Sequence, residues 1–171
     1  YIQRHSDRRV ELKRFPRDEW FRLVALADRV RDTRRFADRS GHPRSPEALV
    51  RRLRLSKRPD VSVGGVLGAR HYVPSLDIMG TPRLDLTVHA RGTNLDLSFL
   101  RQMDAALQPA VEDEPASVVI HVLFRPSTFF DTDDPHAVWA DPVECLLDLE
   151  DARLESQALE FLDYLSPRVA L

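Results

Sequence analysis

The chain has 171 residues, of which 43% are hydrophobic and 30% are charged, a composition that supports a folded core and argues against disorder. No apolar run approaches the roughly 20 residues needed to span a bilayer, and no secretory signal opens the sequence. The one cysteine, Cys145, cannot form an internal disulfide and lies in an apolar run typical of a buried side chain. These features argue against membrane-spanning and disulfide-stabilised classes, and we expect a cytoplasmic protein.

The net charge of -2 conceals a strong division along the chain. Residues 1–60 hold 18 Lys and Arg against nine Asp and Glu, whereas the remaining residues hold seven against 18. A basic segment attracts polyanions, and the neutralisation of phosphates with release of counterions is its commonest use. The division favours nucleic-acid contact by the first third of the chain. The alternative is that the two oppositely charged parts simply pair with each other.

The basic third contains four predicted elements. Residues 8–15 alternate loosely, which is typical of a strand or of the end of a wing-like hairpin. Apolar residues at helical spacing predict a helix that starts near Pro16, and residues 33–39 form a short predicted strand. Ser45 and Pro46 predict the N-cap and the first helical position of a second helix.

Cations on and around these elements are the candidate phosphate contacts. Contacts to the nucleic-acid backbone give affinity without sequence discrimination. Cations near the C-terminal end of a helix also suit its dipole, so a purely structural role for some of them stays open. The candidates are Arg34, Arg35, Arg51, Arg52, Arg54, Lys57 and Arg58.

Charge and residue usage both change near Pro59, which predicts a basic segment over residues 1–59 and an acidic domain over residues 60–171. Strands and helices are predicted to alternate in the acidic part. The strands are 61–63, 84–89 and 118–124, and the helices are 66–72, 97–107 and two that start near Pro142 and Ser156. This alternation predicts an α/β (or α+β) fold, with a mixed sheet and flanking helices. The basic residues 1–59 before it are predicted to form a small helical or winged-helix-like segment.

The order of elements over residues 64–85 resembles the start of a nucleotidyltransferase site. The glycine pair Gly64 and Gly65 comes first, a predicted helix follows, and Asp85 lies on the next predicted strand. In those enzymes a glycine pair opens a helix toward the nucleotide phosphates, and two carboxylates in Asp-x-Asp spacing hold Mg²⁺. Here Arg83 and Thr87 flank Asp85, so no second carboxylate has the required spacing. We therefore expect no catalysis and no cofactor. A metal-dependent nucleotidyltransferase with Asp85 as a metal ligand is the alternative.

The six histidines show no zinc-ligand spacing. His121 lies inside the apolar run 118–124, which predicts a strand covered on both faces. We expect His121 to be a core side chain whose hydrogen bonds are satisfied.

The stretch Trp139-Ala140-Asp141-Pro142, followed by Leu146-Leu147-Asp148-Leu149, resembles the C-terminal signature of AbiEi-type antitoxins of type IV toxin-antitoxin systems. Residues 63–86 are similar to the strand-helix-strand core of that family, and the resemblance covers about residues 60–165. It implies an N-terminal winged helix-turn-helix that binds operator DNA, an α/β domain linked with antitoxicity, and a nucleotidyltransferase toxin as the partner. No complete helix-turn-helix precedes residue 60. Because the chain begins at Tyr1 rather than Met, we expect the recognition helix upstream.

The resulting hypothesis is a DNA-associated transcriptional regulator, not an enzyme, that represses its own operon and counters a nucleotidyltransferase toxin. Its expected partners are DNA, through the phosphate backbone, and indirectly a cognate toxin, with no membrane partner. Two alternatives stay open: the metal-dependent nucleotidyltransferase, and a protein-interaction domain whose acidic half binds a basic partner.

Overall fold

The computed structural model describes residues 2–6, 9–12, 17–77, 83–90, 94–124 and 138–165, and it describes side chains from residue 18 onward, except that of residue 28. Its strands are β1 (Ile2–Ser6), β2 (Arg9–Leu12), β3 (Arg31–Asp38), β4 (Val61–Val63), β5 (Leu84–His89), β6 (Leu107–Pro109) and β7 (Val118–Leu123). Its helices are α1 (Arg17–Val30), α2 (Pro46–Leu53), α3 (Gly65–Tyr72), α4 (Phe99–Met103), α5 (Pro142–Asp151) and α6 (Glu155–Leu165), with a 3₁₀ turn at Arg54–Ser56.

β1 and β2 form an antiparallel hairpin, and the other strands form a five-stranded sheet in the order β4-β5-β7-β3-β6. β5 and β7 are parallel, whereas the remaining neighbours in this sheet are antiparallel. The predicted α/β class, a mixed sheet with flanking helices, is confirmed. None of the described helices combines the length and the apolar character needed to cross a membrane.

The N-terminus of α2 begins where the capping residues predict it. The Ser45 hydroxyl accepts a hydrogen bond from the Ala48 N–H at 3.3 Å, and Pro46 occupies the first turn. Asp141 performs the same role for α5, where it accepts hydrogen bonds from the N–H groups of Val143 and Glu144. These caps satisfy N–H groups that have no partner inside the helix.

The helix predicted over residues 97–107 is wrong in length. α4 covers only Phe99–Met103, because Asp104 adopts an extended backbone and its carboxylate accepts a hydrogen bond from the Ala106 N–H at 3.0 Å. The following residues form β6, in which Leu107 pairs with Asp38. Pairing across the sheet thus replaces the last turns of the predicted helix.

The two faces of the sheet are covered by different helices. One face is apolar and packs against α2 and α4, with side chains such as Leu86 and Ile120 fully buried. The opposite face points toward α5, which belongs to a second apolar cluster together with α1, α3 and α6. Residues alternate between faces along a strand, so Asp85, Thr87 and His121 share the α5 side, and all three are buried. Both faces of β7 are buried, as its apolar run predicts.

The predicted boundary between residues 59 and 60 does not separate two folded units among the described residues. β3, from the basic segment, lies between β7 and β6 and pairs with both. α2, also from the basic segment, places Leu49, Val50 and Leu53 in the same core as β5 and β7. The shift in charge therefore marks a change of surface character within one sheet and core.

Cys145 is fully buried, as predicted, and its thiol lies 3.7 Å from the carbonyl oxygen of Ala140. Burial, followed by the charges of Asp148 and other nearby carboxylates, raises the pKa of the Cys145 thiol well above its ordinary value. The thiolate is the reactive form of cysteine, so Cys145 serves as a packing residue.

Candidate functional site: a buried polar cluster and a cationic ridge

A cluster of charged and polar side chains is buried between the sheet and α5. We call it the buried polar cluster, and even its most exposed member, Arg31, is only 8% exposed. Buried charges require partners, since an unpaired one costs several kcal/mol. The members are Arg31 from β3, Asp85 from β5, His121 from β7, and Glu144 and Asp148 from α5.

Asp148 lies at the centre of the cluster and is completely buried. Its carboxylate accepts a hydrogen bond from the Gly65 N–H at 2.8 Å and another from the Arg31 guanidinium. The side chain thus fills the N-terminus of α3, the end at which a helix favours negative charge. A Cβ at Gly64 would collide with the Asp148 carboxylate, so glycine is needed for this close approach. Burial raises the pKa of Asp148, against the opposing charges of His121 and Arg31.

Asp85 is neutralised by Arg83, the residue directly before β5. The Arg83 guanidinium donates to Asp85 at 2.8 Å and to Asp151, at the end of α5, at 2.7 Å. Arg35 donates to the other oxygen of Asp151 at 2.8 Å. Burial raises the pKa of Asp151, but the hydrogen bond and charge of Arg83 outweigh it, so this pKa lies below its ordinary value.

His121 is buried as predicted, but only one of its ring nitrogens is satisfied. Nδ1 lies 3.0 Å from the Thr33 hydroxyl, within hydrogen-bonding distance. Nε2 lies 3.3 Å from an Asp148 oxygen and 3.5 Å from an Asp85 oxygen, and among the described residues it has no hydrogen-bond partner. The expectation of a fully satisfied core histidine is therefore wrong for Nε2.

In the part of the chain that the structure describes, three possible metal ligands lie together: Asp85, His121 and Asp151, whose ligand atoms are within 4.8 Å of one another. Histidine nitrogen with carboxylate oxygen is a plausible donor set for a divalent cation. Arg83, however, already bridges the two carboxylates, and a guanidinium at that position would repel a metal ion. The donors therefore do not fit a resident metal.

Gly65 has a positive φ of +55°, and an added Cβ would lie 2.8 Å from the Asp85 Cβ. We expect Gly65→Ala to lower the free energy of unfolding by about 3 kcal/mol, from backbone strain combined with overpacking. Gly41 is the matched control, since it has a φ of +75° but no atom within 4 Å of an added Cβ. Gly41→Ala should therefore cost only about 1 kcal/mol. Urea denaturation measures both, and equal losses would contradict the packing argument.

The seven predicted phosphate contacts fall into two groups. Three of them are already paired with carboxylates: Arg34 with Asp32, Arg35 with Asp151, and Arg58 with both Asp60 and Asp96. The hydrogen bond from Arg58 holds the pKa of Asp60 below its ordinary value. The charges of these three arginines are locally compensated within the fold.

The other four cations form what we call the cationic ridge: Arg51 and Arg52 of α2, Arg54 of the 3₁₀ turn, and Lys57, the residue that follows this turn. All four are exposed. Arg52 donates to the backbone carbonyl of Met103 at 2.9 Å, which fixes its side chain without neutralising it. Within the described part of the chain, none of the four forms an ion pair with a carboxylate.

Arg51 and Arg54 lie three residues apart, a spacing that brings side chains to the same side of a helix. Lys57 follows the 3₁₀ turn in the left-handed conformation, so helical spacing does not place its side chain. The ridge therefore presents exposed positive charges that no carboxylate of the described residues compensates.

Sequence reasoning missed most of the buried polar cluster. Arg31, Glu144 and Asp148 were not candidates, because each is one charge in an otherwise ordinary strand or helix. The available signal was Asp148 itself, a carboxylate inside the run Cys145–Leu149 that otherwise has the apolar composition of a core helix.

A comparison of the chain with protein-family models, with curated proteins and with solved structures gives no match.

Proposed function

We propose that this chain is a DNA-associated transcriptional regulator of the AbiEi antitoxin type, which represses its own operon and counters a nucleotidyltransferase toxin. The observation that carries the proposal is the cationic ridge: four exposed cations without carboxylate partners among the described residues. Uncompensated exposed cations are the side chains that neutralise phosphates and release counterions. Arg34, Arg35 and Arg58 are weaker candidates for phosphate contacts than the ridge cations, because each is already paired with a carboxylate.

The buried polar cluster supports a regulator rather than an enzyme. At the position where a transferase would need a second metal-binding carboxylate, Arg83 provides a cation that bridges Asp85 and Asp151. At the N-terminus of α3, where phosphates would bind, the Asp148 carboxylate takes the Gly65 N–H. Both positions are filled by the protein's own side chains.

The test is the salt dependence of binding to a labelled DNA duplex, followed by fluorescence anisotropy. With about four phosphate contacts, the logarithm of the binding constant should fall against the logarithm of salt concentration with a slope of about -3 to -4. Affinity should therefore drop about 100-fold between roughly 50 and 200 mM salt. Binding that is absent at low salt, or insensitive to salt, would contradict the proposal.

The competing enzyme proposal has its own experiment. Incubation with labelled nucleoside triphosphates and Mg²⁺ should give no transfer to protein or nucleic acid. Transfer that Asp85→Ala abolishes, while the fold is retained, would replace the regulator by a nucleotidyltransferase.

The antitoxin part is tested genetically. We expect a nucleotidyltransferase reading frame beside the gene, whose product arrests growth when expressed alone and is neutralised when this chain is co-expressed. DNA binding without neutralisation would leave a regulator that is not an antitoxin.

A further inference from the structure

Leu55 lies in the 3₁₀ turn of the cationic ridge and is 82% exposed, more than any other large hydrophobic residue of the described chain. A single exposed leucine is common on protein surfaces. Two residues later, Lys57 ends the turn in the left-handed conformation, with φ 49° and ψ 40°, as the residue after a helical segment commonly does. Leu55 differs from an isolated surface leucine because cations lie on both sides of it in the chain.

The charges around Leu55 indicate the chemistry of its partner. Arg54 precedes it, Lys57 follows it, and Arg51 lies one turn earlier, while none of the three has a carboxylate partner among the described residues. A polyanion complements this arrangement. Binding to an anionic membrane surface needs a broad apolar helix face, whereas one apolar side chain between cations matches the wedges that proteins insert at a base step of duplex DNA.

Building on the proposed DNA binding, we propose that Leu55 is a wedge that enters the minor groove and partly unstacks one base step. Arg51, Arg54 and Lys57 hold the phosphates on either side. Unstacking kinks the duplex and is easiest at flexible pyrimidine-purine steps. The ridge therefore bends DNA and prefers deformable sequences, although it reads no base edge.

The experiment uses two duplexes of about two helical turns, with dyes at both ends for energy transfer. One has a TA step at its centre and the other a stiff A-tract. The wild-type chain should bend the TA duplex and bind it about three- to tenfold more tightly than the A-tract duplex. Leu55→Ala should keep the salt slope but lose the bend and the preference.

Val111→Ala is the matched control. Val111 is also exposed, at 66%, but Glu112 and Asp113 follow it in place of cations. This variant should bend and discriminate as the wild type does.

The outcomes separate the inference from the function on which it rests. No DNA binding by the wild type contradicts both. In a second outcome, the wild type binds DNA with the expected salt slope, but Leu55→Ala bends both duplexes as the wild type does. This result overturns the wedge and leaves the proposed DNA-binding regulator intact. Leu55-dependent binding to phosphatidylglycerol vesicles in place of DNA also overturns the wedge and assigns the ridge to a membrane surface.

Discussion

Replacement of Asp148 by alanine should lower the free energy of unfolding by about 3–5 kcal/mol, because the buried Arg31 guanidinium loses its hydrogen-bond acceptor and keeps the ion pair with Glu144 at 3.4 Å. The Arg31 side chain is only 5% exposed and donates directly to Asp148. The Gly65 N–H also loses its acceptor in this variant. Domains of this kind have total stabilities of about 5–15 kcal/mol, so the variant should lie close to the limit of folding. The shift of the urea midpoint measures the loss.

Two further variants define the origin of that loss. Asp32→Ala is the control, since Asp32 pairs with Arg34 at a site where both side chains are more than 40% exposed, and it should cost at most about 1 kcal/mol. The double variant with Arg31→Met and Asp148→Ala should lose less stability than the sum of the two single variants, because each single change removes the other residue's buried ion-pair partner. Strictly additive losses in this double-mutant cycle would contradict a direct interaction between the two residues.

Replacement of Arg51, Arg54 and Lys57 together by glutamine should weaken binding to duplex DNA on the order of 100-fold at about 0.1 M salt. The same variant should reduce the magnitude of the salt slope by about 2.7, because three phosphate contacts are lost. Since all three side chains are exposed, the fold should be unaffected. Anisotropy titrations at several salt concentrations, with circular dichroism as a check on folding, provide both quantities.

The matched control removes the same total charge elsewhere. Arg22, Arg39 and Arg44 each have a carboxylate partner, namely Glu19, Glu114 and Asp104, and none of them is a candidate phosphate contact. Their joint replacement by glutamine should change affinity less than about threefold, since no direct phosphate contact is lost and the remaining change in net charge is screened by salt. Equal effects of the two triple variants would mean that net charge, and not the ridge, drives binding.

Local patterns in the sequence predict most of the elements that build the sheet and its helices. The strands at residues 61–63 and 84–89 and the capped start of α2 are where apolar alternation and capping place them. Each depends on residues within a few positions of one another. The prediction for residues 97–107 was wrong because Leu107 pairs with Asp38, a distant partner in sequence.

The predicted boundary at residue 59 shows why charge is a poor guide to domain structure. Net charge reports the surface, whereas a folded unit is defined by shared pairing and apolar burial. β3 carries exposed arginines and is also an internal strand of the sheet. A basic surface and an interior position thus occur in the same element.

By itself, the sequence determined the α/β class, the capping of α2 and the uneven distribution of charge, since these follow from composition and short-range spacing. Only the tertiary structure decided which charges are compensated. In the sequence, Arg35 and Arg51 are both candidate phosphate contacts, and nothing there distinguishes them. In the structure, α5 places Asp151 beside Arg35, whereas no carboxylate of the described residues pairs with Arg51. The physical reason is that an ion pair requires a separation of about 4 Å, and strand register and helix packing, not sequence distance, set that separation.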